Sequence, residues 1–484
     1  MTSQDSPLTI ERSQRNVALL VAGCFFMEML DGTIVTTSAP KIAHVLSVSV
    51  GSIALVITAY LVTLAVLIPL SGWMAARFGG RVTFLAAIAL FTFASVGCAA
   101  ATSFPELVVL RVIQGAGGAM MVPVGRLLVL SRSNPSNLMR LTTLLVWPGL
   151  VAPVVAPLVG GLITTYASWH WLFLINLPLG VVAFLIAMRI VHPPAFPEPG
   201  PPDVTGLILT SAGLGGLTFT ADLLAAAHTN WALTIGIGLS SAALLVAAVL
   251  HLLRVRIPLI DLRLTRIHTF RSALTGSAFH FTATNAIPFL APLLFEEVFD
   301  WSAIKAGSVV LFIFLGNVGA KSMTTYLYSR LGFRPVLVAS TAGLGLSLIL
   351  LGVVGTATPV VVLALILLAS GAGRSIGATG YSTVIFSDIP QSEMRHANTL
   401  VVTVQQLGAS WGVAAGAVAL RLGGPVGRLL GGHAGSHTAY TVAFVLVACL
   451  ALLASGEALR MQPGSGDALR GDRAPAAEPE PAAS

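Results

Sequence analysis

The stretch Phe25–Pro40, FFMEMLDGTIVTTSAP, decides how the chain is read. It lies inside the first long apolar run, yet it carries Glu28 and Asp31, and their i, i+3 spacing puts both carboxylates on one helical face. A charge at the centre of a membrane helix costs about 2.5–3.5 kcal/mol on insertion scales. Two acids kept at that cost mark a candidate ionisable site. The alternative is that one of them lies near the interface or packs as a neutral, hydrogen-bonded group.

The rest of the composition supports a membrane setting. Hydrophobic residues make up 55% of the 484 and charged residues only 9%, against about 25% charged in soluble domains. Cys24, Cys98 and Cys449 fall inside apolar runs and form no CxxC pair, so no disulfide or metal site is expected. The apolar run starting at Val17 is too long for a signal segment and reads as a retained first span.

Runs near the roughly 20 residues needed to cross a bilayer place fourteen spans, at about 17–39, 52–71, 82–101, 105–127, 141–166, 171–190, 204–227, 231–253, 271–294, 303–327, 333–355, 359–386, 397–420 and 439–459. The expected fold is an all-α integral membrane protein with 14 transmembrane helices. With the N-terminus inside, 19 of the 26 Lys and Arg residues fall on cytoplasmic segments. Lys41, Lys305, Arg421 and Arg428 fall outside, and Arg111, Lys321 and Arg374 lie within spans. This positive-inside bias puts both termini in the cytoplasm.

Four anchors recur at nearly one offset. Arg77-Phe-Gly79-Gly-Arg81 returns as Arg330-Leu-Gly332-Phe-Arg334, and Gly115-Ala-Gly117 as Gly371-Ala-Gly373. Asp31 aligns near Asn285, and Pro40 with Pro292. The chain therefore divides into a cytoplasmic N-terminus (1–16), a six-helix half (17–190), a Pro-rich linker (191–203) and two inserted helices (204–253). A basic cytoplasmic connector (254–270), a second six-helix half in the same orientation (271–459) and a tail expected to be disordered (460–484) follow. Repeated halves are a transporter signature, with the site at their interface near the midplane.

Five stretches follow one another as LDGTIVTTSAP (Leu30–Pro40), SGWMAARFGGR (Ser71–Arg81), LRVIQGAGGAMMVPVGR (Leu110–Arg126), PGLVAPVVAPLVGG (Pro148–Gly161) and SWHWLFLINLPLG (Ser168–Gly180). In that order they give the chain a resemblance to the major facilitator superfamily, specifically its fourteen-span drug:proton antiporter branch. It implies a gating loop of Gly72, Arg77, Gly79 and Arg81, mirrored by Arg330, Gly332 and Arg334. The family's loop carries an Asp in a charge relay that holds the cytoplasmic gate shut. Here Ala76 stands in that place, which puts the relay in doubt or moves it to another acid such as Asp388. The resemblance also implies an antiporter motif of Pro148, Gly149, Pro153, Pro157, Gly160 and Gly161 in a bent fifth span, with Ala156 where a Gly is usual. The bland alternative is a kinked packing helix without a coupling role.

An arginine embedded in a membrane needs an acid or carbonyls as partner, and both the physics and the resemblance aim Arg111 at the acids of the first span. Asp31, Glu28 and Arg111 are thus the proton-coupling candidates. Candidate residues for a substrate cavity are Gln114, Trp147, His280, Asn285, Lys321, Arg374, Gln405 and Trp411. Lys321 has an alternative, since Arg330 follows nine positions on and a lysine there can snorkel to the interface. His280 alternatively packs as a satisfied core residue.

The Gly-rich strings at 115–118 and 371–374 sit within apolar spans with no strand before them, so they are not phosphate loops. With no Walker, HExxH or GxSxG sequence, no enzymatic role is expected, and energy must come from an ion gradient or a partner. The reading is a transporter without cofactors in the bacterial cytoplasmic membrane. It is driven by the proton gradient and works as a monomer by alternating access, and the resemblance implies that it exports small amphipathic compounds. Two alternatives stay open: export of an organic anion or metal–carboxylate chelate such as citrate, and a sensor that transports nothing.

Overall fold

The computed structural model describes residues 12–48, 50–131, 135–192, 203–225, 230–256, 258, 260–429 and 436–466. Residues 1–11 of the expected N-terminal segment, 193–202 of the linker and the tail from 467 lie outside the described residues.

Among the described residues the chain is helical. It begins with α1 (Arg12–Val45), α2 (Val50–Leu67), α3 (Ser71–Phe78), α4 (Gly80–Ala100), α5 (Phe104–Leu130), α6 (Pro135–Tyr166), α7 (Trp171–Leu174) and α8 (Asn176–Ile190). Next come α9 (Val204–Ala225), α10 (Trp231–Arg254), α11 (His268–Glu297), α12 (Ala303–Leu331), α13 (Phe333–Val353), α14 (Val360–Val384), α15 (Met394–Leu429) and α16 (Ser436–Arg460). Apolar sequence in a bilayer must satisfy its backbone internally, which helices do. Twelve helical stretches among the described residues are long and apolar enough to cross a membrane, so this is a multi-pass membrane protein. The expected spans at 141–166 and 397–420 fall on α6 and α15, helices of 32 and 36 residues that pack along α1 and α11. Arg395, His396, Asn398, Gln405 and Gln406 dilute the apolar character of α15.

The two parts of the chain, up to Ile190 and from His268, pack alike. α5 lies against α4 and α2, as α14 lies against α13 and α12. α8 lies against α4, as α16 lies against α13. A Cβ on Gly115 would come within 2.9 Å of the Tyr60 carbonyl oxygen of α2, and one on Gly371 would collide with the Ile313 carbonyl of α12. Small residues permit these close crossings. Gly79 and Gly332 each take φ of 85° where one helix reverses into the next, a region close to glycine-only. After each reversal an arginine spans to the end of a distant helix. Arg81 Nη2 donates to the Met188 carbonyl at 2.6 Å, and Arg334 Nη2 to the Leu459 carbonyl at 2.8 Å.

The pair α9 and α10 is peripheral. α9 packs on α2 and α15, with Ser211 Oγ donating to the Val66 carbonyl at 2.6 Å. α10 rests on α9, and only 17% of its span is buried, against 61% for α5. Its Leu233, Leu239 and Val246 face outward, as lipid-facing residues do. In the basic connector, Leu262–Arg266 forms a 3-10 turn capped by Asp261, whose Oδ1 accepts from the Arg263 N–H at 2.9 Å.

The two halves close against each other at the end that carries the Arg77–Arg81 loop. Trp73 and Leu130 pack in one apolar cluster with Met394, Ala397 and Val401. Gly72 admits α15: a Cβ there would come within 2.5 Å of Thr399 Oγ1 and 3.2 Å of Arg395 Cγ.

Candidate functional site

Five helices converge on Asp31. Its Oδ2 accepts from Arg111 Nη1 at 2.5 Å, and both side chains are 0% exposed. Its Oδ1 accepts from Gln114 Nε2 at 2.9 Å and from Asn176 Nδ2 at 2.8 Å. Gln114 also accepts from Arg111 Nη1 at 2.8 Å and donates to Ser95 Oγ at 2.6 Å. The guanidinium lies over the Tyr60 ring, 4.2 Å from its centroid. Thus α1 supplies the acid, α5 the arginine and glutamine, and α8, α4 and α2 the surrounding asparagine, serine and aromatic ring. A buried ion pair is held only when further hydrogen bonds offset its desolvation, and this one has them.

Beside the pair sit polar atoms with no partner. Glu28 Oε2 and Tyr60 Oη are buried without a hydrogen bond. Both face Gly118, where a Cβ would stand 3.3 Å from the hydroxyl and 3.6 Å from the carboxylate oxygen. An orphaned buried carboxylate oxygen is costly as an anion and cheap once protonated. The site can therefore hold one acid charged, through Arg111, next to a second whose charge has no counterpart.

The cavity candidates divide. Gln114 belongs to the Asp31 network. His280 is fully buried, with Nε2 at 3.2 Å from the Arg374 carbonyl, in the position of a packing residue. Asn285 Nδ2 donates to the Phe281 carbonyl of its own helix at 2.8 Å, at the crossing with Gly412 and half-buried Trp411 of α15. Arg374 Nη1 donates to the Thr284 carbonyl at 3.3 Å. Lys321 does not snorkel. It is 5% exposed, and its Nζ donates to Thr379 Oγ1 at 2.6 Å, since α14 crosses closely enough to hold it inside.

Gln405 lies at the closed end, where Arg126 of α5 reaches across to the other half. Arg126 Nη1 donates to Gln405 Oε1 and Nη2 to the Ser382 carbonyl, both at 3.2 Å, with the guanidinium over the Phe386 ring. Asn398 Nδ2 adds a bond to the Pro123 carbonyl at 3.1 Å. Asp388, the stand-in acid for Ala76, is exposed and forms no ion pair among the described residues. Arg77 is exposed as well, and Arg330 stacks near the Tyr326 ring. The antiporter stretch forms one unbroken helix, α6, with Gly160 buried. The side chains of Trp147, Pro148, Gly149, Pro153, Pro157 and Gly161 lie outside the described residues.

Tyr60, Ser95, Asn176 and Arg126 are residues of these contacts that the sequence motifs do not single out. Asn176 had a signal, an amide within the quoted SWHWLFLINLPLG stretch. Ser95 and Tyr60 had none, since such residues are common in membrane helices.

With this geometry in place, comparison with known proteins assigns the class. The sequence profile of the Major Facilitator Superfamily matches residues 21–413, and the chain belongs to that family, so it is a membrane transporter and not an enzyme. Among its relatives, proteins of Salmonella heidelberg (strain SL476) and Salmonella typhimurium (strain LT2) carry the name multidrug resistance protein MdtD. They are 36% and 35% identical over 395 residues, covering 81% of this chain and 84% of each relative. Two solved structures share the fold. The human organic anion transporter MFSD10 superposes with a TM-score of 0.65 at 14% identity over 93% of this chain and 100% of its own. The proton:xylose symporter XylE superposes with a TM-score of 0.64 at 14% identity, over 94% of this chain and 98% of its own.

Proposed function

We propose that the protein is a proton-coupled antiporter that exports small amphipathic compounds across the bacterial cytoplasmic membrane. Fourteen spans form two parallel six-helix halves, with α9 and α10 inserted between them and both termini in the cytoplasm. The matched pair of glycine reversals and arginine bridges supports the repeat. The multidrug resistance names of the relatives support the substrate class.

The observation that carries the mechanism is the sealed Asp31–Arg111 pair beside the unpartnered oxygen of Glu28. Protonation of Asp31 removes the charge that holds Arg111, Gln114 and Asn176, and so loosens the contacts among α1, α5 and α8. Glu28, one turn before it on α1, receives or passes on the proton. A positively charged or polarised substrate competes with the proton for the same carboxylates, so binding of one excludes the other. Closure at the Arg126 end directs the open state to the opposite side. Transport needs no cofactor beyond the proton gradient, and each chain works as a monomer.

The test uses everted membrane vesicles energised to acidify their lumen, with ethidium added. The intact protein is expected to release protons when ethidium is present and Asp31→Asn is expected not to. Silence across a broad substrate panel, from folded protein, would overturn antiport and favour a sensor.

A further inference from the structure

A second polar cluster lies in the other half, away from the acids. Lys321 of α12 is buried and, among the described residues, forms no ion pair; its Nζ bonds only to Thr379 Oγ1. One turn earlier on the same helix, Asn317 is 1% exposed, and both its amide nitrogen and its amide oxygen lack a partner. Across on α14, Ser370 and Ser375 are 0% exposed and their hydroxyls also lack partners. Close helix crossing holds the group together, since a Cβ on Gly371 would lie 2.9 Å from the Asn317 backbone nitrogen.

Buried polar groups are normally satisfied, and a buried charge is normally paired. Here one ammonium, one amide and the Ser375 hydroxyl, one turn before Thr379 on the same face of α14, share a helix crossing with donors to spare, and among the described residues none of them meets a carboxylate. We propose that this cluster is an anion subsite that takes the carboxylate of an amphipathic substrate. Lys321 supplies the charge, and Asn317 and Ser375 supply hydrogen bonds to its two oxygens. A carboxylate offers about four lone-pair positions, which matches this donor set. α6 of the first half packs against both α12 and α14, so the cluster borders the seam that opens in alternating access; the inference rests on that transport reading for its access route. It adds to the proposed amphipathic substrates compounds in which an apolar body carries an acid group.

The test is direct binding to the purified full chain, which does not depend on proton coupling. Titration calorimetry compares 2-naphthoate with uncharged 2-naphthamide. The intact protein is expected to bind the acid and to bind the amide at least about tenfold more weakly, the discrimination of a hydrogen-bonded charge. Lys321→Met is expected to lose the same factor for the acid alone, and Asn317→Leu a smaller part of it, with both variants eluting as folded monomers. Equal affinity for acid and amide, no binding of the acid, or an unchanged affinity in Lys321→Met would overturn the subsite. Loss of ethidium-driven proton release with naphthoate binding intact would instead overturn the antiport reading.

Discussion

In the first half of the chain, the Asp31 carboxylate meets Arg111, Gln114 and Asn176 within 2.9 Å, and nothing of the ion pair reaches water. In the second half, Lys321 and Arg374 donate to a hydroxyl and a backbone carbonyl, and neither forms an ion pair among the described residues. The two halves share their helix order and packing but not their electrostatics. One half has converted its polar crossing into a closed, buried ion pair. The other has left positive charge uncompensated, a state that favours an incoming anion.

The comparison yields predictions of decreasing size. Replacing Arg111 by Met leaves Asp31 as a buried charge without its partner. We expect a loss of about 3–5 kcal/mol, read as a large drop in melting temperature in detergent. The double variant with Asp31→Asn should recover part of that loss, because the pair acts as a unit. If the two single effects simply add, the pair is not coupled. Gly79→Ala and Gly332→Ala test what the halves share. Each forces a side chain into a backbone region at φ near 85° and should cost about 1–3 kcal/mol. Comparable losses at both sites would sharpen the repeat, and a large loss at only one would break it. Lys321→Met should move in the opposite direction from Arg111→Met. Removing a buried charge that has no acid partner is expected to raise stability by about 1 kcal/mol. A fall in melting temperature would mean that Lys321 is compensated after all.

The all-helical, multi-pass class was legible because bilayer length and apolar runs leave few alternatives. The Asp31–Arg111 contact was legible for a related reason, since an embedded arginine has few partners available to it. The partners that complete the site were not. Ser95, Tyr60 and Asn176 carry no charge, and helical periodicity shows which face a residue shares without showing which neighbour that face meets. The same gap explains Lys321. Nine residues from Arg330 a lysine can reach the interface, and only the tight crossing at Gly371 turns it inward. Arg126 read as one more topology charge, because a clasp between halves depends on contacts some 250–280 residues away in the chain.

The most direct test of the account is proton release by the purified protein in weakly buffered detergent solution when ethidium is added. The intact protein is predicted to release protons on binding, and Asp31→Asn to release none. Release that persists in Asp31→Asn would contradict the assignment of coupling to the closed pair of the first half.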